Sequence, residues 1–378
     1  DEETMSRNTA LAHYEEFLQG TKGTGNLLVS IPPDACSLAC GLRVEPSKDL
    51  VSRIKKAAAS LSQKSWKELS RSLAGNFLRK VIYPMEELPS FGTSGTRMEN
   101  ETLDWYLDQI SHMKPAVISG LPTYLEILAR HMMDNGITPG RVDAVLPQGG
   151  LTTRRMRQVI SRGFNSPVHE VYGGHEFGCV ASTCSKMDKM HILTSACHVE
   201  IIRGNRHAQT GELGEIVLTI FSNKAMPLIR YRPGDVGRIY DPDCSCERQS
   251  PQLVVEGRIQ DTIVTSQNIF SPAAVIDFFA GFENVQFAQL VQLSDKRCDL
   301  LIVEHQKGKT DIGVLQDESN RFFSGAFKIR PRLVSTIKPE VSGKFRFVKS
   351  TSFERFHQSP AAEPTIAYLG PSAHRKSA

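Results

Sequence analysis

Apolar residues recur along the first half of the chain at the spacing of amphipathic helices. The pattern predicts helices over residues 8–18, 49–61, 66–81, 103–113, 124–133 and 154–162. Four short apolar runs between them predict buried strands: NLLVSI from Asn26, AVIS from Ala116, AVLP from Ala144 and VHEVY from Val168. Helices that alternate with short buried strands are typical of an α/β sheet with helices on its faces.

The pattern changes in the second half of the chain. From His198 the runs HVEII and EIVLTIF are separated by turn residues, which predicts a β-rich subdomain. After Arg258 a small α+β domain is predicted, with helices over residues 273–279 and 312–323 and strands at IVT, VQFAQLVQL, DLLIVEH and RLVSTI. We therefore expect a large α/β domain over residues 1–258, a small mobile C-terminal domain over 259–352 and a disordered tail over 353–378.

Composition narrows the classes of protein to consider. The chain has 378 residues, of which 40% are hydrophobic and 23% charged, and no apolar run is long enough to cross a bilayer. The balance of 45 basic against 41 acidic residues is too even to indicate a nucleic-acid-binding protein. Eight unevenly spaced cysteines and the lack of a visible secretory signal favour reduced thiols and a cytoplasmic location.

The richest chemical motif is PLIRYRPGD, over residues 227–235. A carboxylate such as Asp235 after a tight Pro-Gly turn can accept two hydrogen bonds from a ribose diol. Gly257-Arg258 follows this turn, and Lys344 comes near the end of the chain, so an arginine and a lysine are present to hold the charge of a nucleotide phosphate. These residue types are the parts of an adenylation site.

Five segments in fixed order extend this interpretation: YGGHEFG, TGELGEIVLT, PLIRYRPGD, GRIQDTIV and SGKFRFV. Their order and spacing resemble the adenylate-forming superfamily of acyl-CoA synthetases, peptide-synthetase adenylation domains and luciferases. The chain looks most like the phenylacetate-coenzyme A ligase branch, which includes deazaflavin-coenzyme synthetases. The resemblance covers roughly residues 110–350, and it implies an adenylate-forming fold that is incomplete at the N-terminal end.

The resemblance implies a role for each motif. Glu176 is the expected Mg²⁺ ligand, Tyr172 and Gly173 would line the nucleotide pocket, and Asp235 would bind the ribose hydroxyls. Arg258 would contact ribose or phosphate, and Lys344 would reach the reacting carboxylate and the α-phosphate. Each residue alone also fits a plain structural role, such as a solvated Glu, a capping Asp or a surface Lys.

Further residues belong to the same expected site. Gly149 and Gly150 resemble the small-residue loop that packs on adenine, because backbone without a Cβ atom can approach a ring closely; a simple strand-to-helix turn is the alternative. His175 stands where the family has threonine or serine, and it is a candidate catalytic donor, because a neutral imidazole can replace a hydroxyl as a hydrogen-bond donor. The hinge and the loop after it differ from the family at Gln260 and Gln267, which bears on the thioester half-reaction.

A phosphate loop of the type SSGTTGxPK is expected in a complete relative. The segment FGTSGTRMEN over residues 91–100 is similar, with hydroxyls and amides at Thr93, Ser94, Gly95 and Thr96. It lies about twenty residues before AVIS, whereas the phosphate loop should lie roughly a hundred residues before it. We therefore expect the chain to begin just after that loop and to lack an N-terminal portion of the large domain.

Two cysteine-containing segments predict a metal site. Cys184 and His191 lie in CSKMDKMH, and Cys244 and Cys246 form a CxC pair after the RYRxGD turn. Three thiolates and an imidazole satisfy the tetrahedral coordination of Zn²⁺ and leave no position for water, so the site would be structural. The arrangement resembles one found in many ligases of the branch. Core thiols are the alternative interpretation; Cys179 and His198 are the nearest substitute ligands, and buried thiols are expected at Cys36, Cys40, Cys197 and Cys298.

The leading expectation is an AMP-forming acid–thiol ligase that activates an aryl or acyl carboxylic acid with ATP and Mg²⁺ and transfers it to coenzyme A. A carrier protein, an amine or a deazaflavin is the alternative acceptor. A zinc-stapled module of the same fold without catalytic activity is the alternative of another class. No nucleic acid or membrane span is expected, and an oligomer is compatible with the sequence. Pyrophosphate exchange separates enzyme from inactive module.

Overall fold

The structure is a computed structural model that describes residues 28–31, 85–87, 96 and 98–358, with gaps at 116, 141, 185, 187, 188, 222, 224, 225, 247, 283 and 341–343. The helices predicted over residues 8–18, 49–61 and 66–81 lie outside the described residues, as do Cys36, Cys40, Thr93, Ser94 and Gly95. Within the described part of the chain, no helix combines the length and the apolar character needed to cross a membrane.

A parallel four-stranded sheet forms the first layer, as the alternation of apolar runs and helices predicted. Its strand order is β2-β1-β3-β4, and all three described pairings are parallel. The elements of this layer are β1 (Leu28–Ile31), β2 (Met85–Glu87), α1 (Asn100–Met113), β3 (Val117–Gly120), α2 (Pro122–Asn135), β4 (Ala144–Pro147) and α3 (Arg154–Phe164). Strands β3 and β4 are buried along their whole length, and α2 buries most of its residues, so this layer supplies a large apolar core.

An antiparallel eight-stranded sheet follows in the order β5-β6-β7-β12-β11-β10-β8-β9. It contains β5 (Val171–Gly174), β6 (Gly178–Thr183), β7 (Met190–Ile192), β8 (Cys197–Arg203), β9 (Arg206–His207), β10 (Gly214–Ile220), β11 (Asp235–Tyr240) and β12 (Gln252–Arg258). The predicted HVEII and EIVLTIF strands pair as β8 and β10. The β-rich subdomain expected from the turn-separated runs is therefore present.

The C-terminal segment forms a compact α+β unit with its own sheet, of order β17-β16-β15-β18. Its elements are β13 (Ile263–Val264), β14 (Ile269–Phe270), α4 (Pro272–Ala280), β15 (Val285–Ser294), β16 (Arg297–Glu304), α5 (Ile312–Phe322), β17 (Lys328–Leu333) and β18 (Val348–Lys349). Ser271 caps α4 by accepting a hydrogen bond from the Ala274 amide, and Asp311 caps α5 by accepting one from Val314. Helices and strands alternate here as the sequence predicted.

Three boundary predictions are corrected. The strand predicted at RLVSTI ends at Leu333, because Ile337 leaves the sheet and packs, buried, against the helices of the first layer. The strand predicted from Val168 begins at Val171, because Val168 makes a single bridge to Val145 before the chain enters the antiparallel sheet. The tail predicted as disordered from residue 353 begins with a short 3₁₀ helix at Phe353–Arg355, and the side chain of Phe356 is fully buried.

The C-terminal unit shares part of its core with the first layer. Phe287, Val303, Ile337 and Phe347 belong to the same buried cluster as the apolar faces of α1, α2 and α3. The ring of Phe345 lies edge-on to Tyr124 of α2, with 5.6 Å between centroids. A second core, internal to the unit, joins α4 and α5 to β15, β16 and β18. The unit is thus folded around its own core, and it also packs against α2 through aromatic side chains.

Candidate active site and metal centre

Asp235 is the first residue of β11 and lies at the centre of the candidate site. The Tyr172 hydroxyl donates to its Oδ2 at 2.8 Å, and the Arg258 guanidinium donates from Nη1 to its Oδ1 at 3.0 Å. The sheet brings Arg258 there directly, because Asp235 and Arg258 are opposite each other in the β11–β12 register. Asp235 is 8% exposed, so a buried carboxylate is held at both oxygens.

The pKa of the Asp235 carboxyl depends on its burial and on the charged groups around it. Burial raises the pKa of its carboxyl, and the positive charges of Arg258 and Lys344 and the Tyr172 hydrogen bond act against that rise. Lys344 belongs to the C-terminal unit, yet it lies close enough to Asp235 to act on it. Its own side chain is exposed. The charge of Lys344 therefore acts on Asp235 although more than a hundred residues of sequence separate the two.

Glu176 lies on the turn between β5 and β6, and its charge, like that of Asp235, acts on Tyr172. The Tyr231 hydroxyl donates to Glu176 Oε1 at 2.9 Å, and the Asn223 side-chain amide donates to the Glu176 backbone carbonyl at 3.3 Å. Burial raises the pKa of Tyr172 strongly, and the negative charges of Asp235 and Glu176 raise it further. Both carboxylates therefore act on the same phenol, and they face one region of the protein.

Tyr231 and Asn223 were not identified from the sequence. Tyr231 stands inside the RYRPGD motif, so its position in that motif was the available signal. His175, the neighbour of Glu176 on the turn, has an exposed side chain. Gly173 faces the Gly178 carbonyl so closely that an added Cβ would lie 2.7 Å from that oxygen. Close packing between β5 and β6 is therefore sufficient to account for glycine at this position.

The Gly149-Gly150 loop lies between β4 and α3. Gly149 has φ +76°, which favours glycine, and a Cβ on Gly150 would lie 3.2 Å from the Pro122 ring. The Gln148 amide donates to the Gly120 carbonyl at 2.8 Å, so the loop is fixed to the start of α2. This geometry is compatible with both sequence interpretations, the loop that packs on adenine and the simple strand-to-helix turn.

Arg346 connects the Lys344 segment to the hinge region. Its guanidinium forms an ion pair with the largely buried Asp261, and it donates to the Gln260 carbonyl at 3.4 Å. Asp261 ends the 3₁₀ turn Ile259–Asp261 that connects β12 to the C-terminal unit. Gln267 is not among the residues with positive φ, so the backbone there accepts a side chain. Arg346 was missed because it stands outside the quoted family roles.

Thr96 is the described residue of the FGTSGTRMEN segment whose surroundings bear on phosphate binding. It is 1% exposed, and its amide donates to the Ile337 carbonyl at 3.0 Å. The Ile337 amide donates in return to Thr96 Oγ1 at 3.0 Å. Thr96 is therefore engaged with the C-terminal unit in this arrangement.

The four predicted metal ligands come together beside strands β6 and β7 of the antiparallel sheet. Cys184 follows β6, His191 lies on β7, and Cys244 and Cys246 lie on the loop between β11 and β12. Their ligand atoms all lie within 4.8 Å of one another. Cys184 Sγ is 3.6 Å from Cys244 Sγ, and Cys246 Sγ is 3.3 Å from His191 Nε2.

The Cys184–Cys244 and Cys246–His191 separations are close to those expected around a tetrahedral ion. Metal–ligand bonds of about 2.3 Å to sulfur and about 2.0 Å to nitrogen place neighbouring ligand atoms about 3.5–3.8 Å apart in a tetrahedron. Burial lowers the pKa of His191, which favours the neutral imidazole that binds a metal. The substitutes considered from the sequence lie outside this group: burial raises the pKa of the Cys179 thiol to about 11, and His198 is exposed on β8.

Two further described thiols lie outside the metal group. Cys197 and Cys298 are buried as expected, and burial raises the pKa of each to about 12. A thiol with such a pKa stays protonated at neutral pH. The metal group is thus distinguished from the other cysteines by the mutual proximity of its ligand atoms, and its Cys244 and Cys246 are only half-buried.

Known proteins resemble parts of this chain in sequence. The sequence matches no family model. Protein CapK of Staphylococcus aureus is 28% identical over 145 residues, which cover 38% of this chain and 30% of CapK. Phenylacetate-coenzyme A ligase of Thermus thermophilus is 24% identical over 246 residues, which cover 61% of this chain and 55% of that ligase. The chain thus spans only part of the length of these relatives.

Structural similarity extends further along the chain. A crystal structure of 2-hydroxyisobutyryl-CoA ligase in the postadenylation state matches with a TM-score of 0.61 at 17% identity, covering 93% of this chain and 72% of that one. The fold is therefore that of the adenylate-forming enzymes. Two phenylacetate-coenzyme A ligases are among the proteins similar in sequence to this chain, in agreement with the resemblance seen in its motifs.

Proposed function

We propose that this chain carries the adenylation machinery of an AMP-forming acid–thiol ligase. In the first half-reaction a carboxylate oxygen of the acid forms a bond to the α-phosphorus of ATP, and the bond to the β-phosphate oxygen breaks to release pyrophosphate. In the second, the sulfur of coenzyme A forms a bond to the acyl carbon, AMP leaves, and the thiol proton passes to solvent. The acid is of the aryl or acyl class.

One observation carries this proposal: Asp235, Glu176 and Lys344 act on one small region. Asp235, oriented by Tyr172 and Arg258, is placed to accept the ribose hydroxyls. Lys344 offers a positive charge beside it, where the attacking carboxylate and the α-phosphate would meet. An adenylate site requires an acceptor for the ribose hydroxyls, a ligand for Mg²⁺ and a positive charge near the α-phosphate. Asp235, Glu176 and Lys344 are candidates for these three roles.

Glu176 is the candidate ligand for the Mg²⁺ that accompanies ATP. The Tyr231 hydroxyl fixes one of its oxygens, so the carboxylate is oriented before any ligand arrives. A carboxylate oxygen is a ligand that Mg²⁺ accepts, and the metal would neutralise phosphate charge at this place. His175, next to it, could donate a hydrogen bond to a phosphate oxygen in place of the family's hydroxyl.

The nucleotide would reach the site beside the Gly149-Gly150 loop. That loop presents backbone without Cβ atoms at the end of β4, where ligands bind in sheets of this type. Gly173, Tyr172 and Arg258 complete the proposed pocket.

Pyrophosphate–ATP exchange with a panel of aryl and acyl acids tests the function. We expect exchange that depends on both acid and Mg²⁺, that Lys344→Ala abolishes and that Lys309→Ala, an exposed lysine of the same unit, leaves unchanged. A version extended upstream is measured in parallel. If neither version exchanges with any acid, the module without catalytic activity replaces this proposal. Product analysis with labelled acid then decides between coenzyme A and another acceptor.

The Cys184, His191, Cys244 and Cys246 group is proposed to hold a structural Zn²⁺. Four protein ligands would fill the coordination sphere, so the ion would tie β6, β7 and the β11–β12 loop together without taking part in the reaction. Support comes from the proximity of the four ligand atoms. The test is the metal content of the purified protein and of its ligand variants, described below.

A further inference from the structure

Asp277 belongs to α4 of the C-terminal unit, yet its carboxylate lies at the start of α3 in the first layer. The Arg155 amide donates to Asp277 Oδ1 at 3.4 Å, and the Thr153 side chain and the Arg154 amide also bond to this carboxylate. Asp277 is 8% exposed. A buried acid of one unit therefore accepts hydrogen bonds from the first turn of a helix in the other.

A negative charge near the start of α3 is expected to stabilise this helix. It has no acidic residue in its first turn, and it begins with Arg154 and Arg155, whose positive charges oppose the helix dipole. Thr153 already serves as the local cap, since its Oγ1 accepts from the Met156 amide at 3.3 Å. Asp277 thus adds the negative charge that α3 does not carry itself.

The position of this contact matters because of what lies next to it. Helix α3 starts four residues after Gly150, so its first turn is continuous with the loop proposed to pack on adenine. A carboxylate fixed at that turn lies at the border between the nucleotide loop and the C-terminal unit. Movement of the unit away from the first layer would leave the first turn of α3 without it.

The same unit carries Lys344. Val275 and Phe279 of α4 share one buried core with Val348 of β18, four residues after Lys344. Helix α4 and the strand that follows the lysine therefore move as one body. Fixing Asp277 at the start of α3 also fixes the segment from which Lys344 extends.

Surrounding charges complete the interface. Glu126 of α2, 3% exposed, is held by Arg130 at 2.7 Å, and the negative charge of Asp277 acts on it. Arg155 acts on both carboxylates. The two units thus meet through a cluster of two buried acids and two half-buried arginines, in which Asp277 is the member supplied by the C-terminal unit.

We propose that Asp277 is a positioning residue: by capping α3 from the C-terminal unit, it holds Lys344 at the nucleotide site during adenylate formation and releases it when the unit turns for acyl transfer. This inference rests on the proposed adenylation function for its catalytic consequence. The contact between Asp277 and the first turn of α3, here called the latch, depends only on how the two units are arranged. It can be measured without turnover.

The first experiment measures the distance between the units. Spin labels are placed through unnatural amino acids at the exposed positions Glu101 on α1 and Lys328 on β17, and pulsed dipolar spectroscopy gives the distance distribution. We expect one narrow population in the unsubstituted chain and a broader one, with longer distances, in Asp277→Ala. The conservative Asp277→Asn keeps the size and removes the charge, and it should broaden the distribution less.

A matched control is available in the same unit. Asp311 also caps a helix, accepting from the Val314 amide at 3.0 Å, but its helix α5 lies within the unit. Asp311→Ala removes an equivalent cap and should leave the distance distribution unchanged. Identical distributions for Asp277→Ala and the unsubstituted chain would overturn the latch, as would equal broadening by the two alanine variants.

The second experiment separates the half-reactions. Asp277→Ala should slow pyrophosphate exchange about tenfold, the scale of a charge lost from a partly buried helix end, while thioester formation from supplied acyl adenylate is retained. Equal slowing of both half-reactions would overturn the positioning role. Absence of exchange in the unsubstituted chain would count against the proposed function, and the distance measurement would still decide the latch.

Discussion

The Tyr172 hydroxyl donates to Asp235 across 63 positions of sequence, and the 2.8 Å hydrogen bond joins β5 to β11 at the candidate site. Both side chains are buried, so the contact fixes the carboxylate before a ligand arrives. This relationship gives the site its most direct test.

Tyr172→Phe removes the hydroxyl and keeps the ring. Because hydrogen bonds to charged groups contribute about 1.5–3 kcal/mol, we expect AMP and ATP to bind about tenfold more weakly. Calorimetric titration measures the change. Tyr240→Phe, at the far end of β11, is the control and should bind as the unsubstituted chain does. Unchanged affinity in Tyr172→Phe would contradict the ribose role of Asp235.

Cysteine variants test the metal centre. The purified chain should contain about one zinc, and a strong chelator should lower its Tm, because removal of the ion unties β6, β7 and the β11–β12 loop from one another. Cys246→Ser should lose the zinc and the chelator response together. Cys179→Ser, outside the cluster, should keep both. Atomic emission and thermal scans give the result, and a zinc-free natural protein with an unchanged Tm would refute the site.

Burial lowers the pKa of His169 from 6.5 to about 4. A base with a depressed pKa in the folded state is protonated first in the unfolded chain, so stability is full above pH 6.5 and falls as pH drops towards 4. The shift corresponds to at most about 3 kcal/mol.

His169→Gln should therefore narrow the gap between urea midpoints measured near about pH 7 and about pH 4.5. His198→Gln, at an exposed position, serves as the comparison and should leave the gap as it is. If both variants lose stability on acidification as steeply as the natural sequence, His169 is not the responsible group.

Phe347 tests the core shared by the two units. It is 6% exposed and stacks between Phe287 and Phe345, with ring centroids 5.8 and 5.7 Å away. Phe347→Ala should lower the free energy of unfolding by about 3–5 kcal/mol, since a buried aromatic ring is lost and a cavity remains. Phe221→Ala, at a 54% exposed position, should change it little. Urea unfolding measures both; similar small losses would mean that the shared core contributes little.

Much of the fold was readable from hydrophobic periodicity. Helices α1 to α5 and the buried strands β3, β4, β8 and β10 are where the apolar pattern predicted them, because their burial is set by local alternation and helical spacing. The boundary errors fall on residues such as Ile337, whose apolar side chain serves contact with another unit. Hydrophobic periodicity shows that a residue is apolar. It does not show which part of the protein that residue packs against.

The sequence by itself determined the class of the site, because motifs of fixed order supplied Asp235, Glu176, Lys344 and the four candidate metal ligands. Tertiary structure alone decided which of these meet: the antiparallel register sets Arg258 opposite Asp235, and folding brings Cys184 to Cys244. It also decided the contacts of Asp277, which belongs to no motif, and of Arg346, whose motif SGKFRFV gave no sign of its ion pair with Asp261. The physical reason is that a hydrogen bond or an ion pair depends on separation in space, and a chain can bring two residues together at many separations along its length.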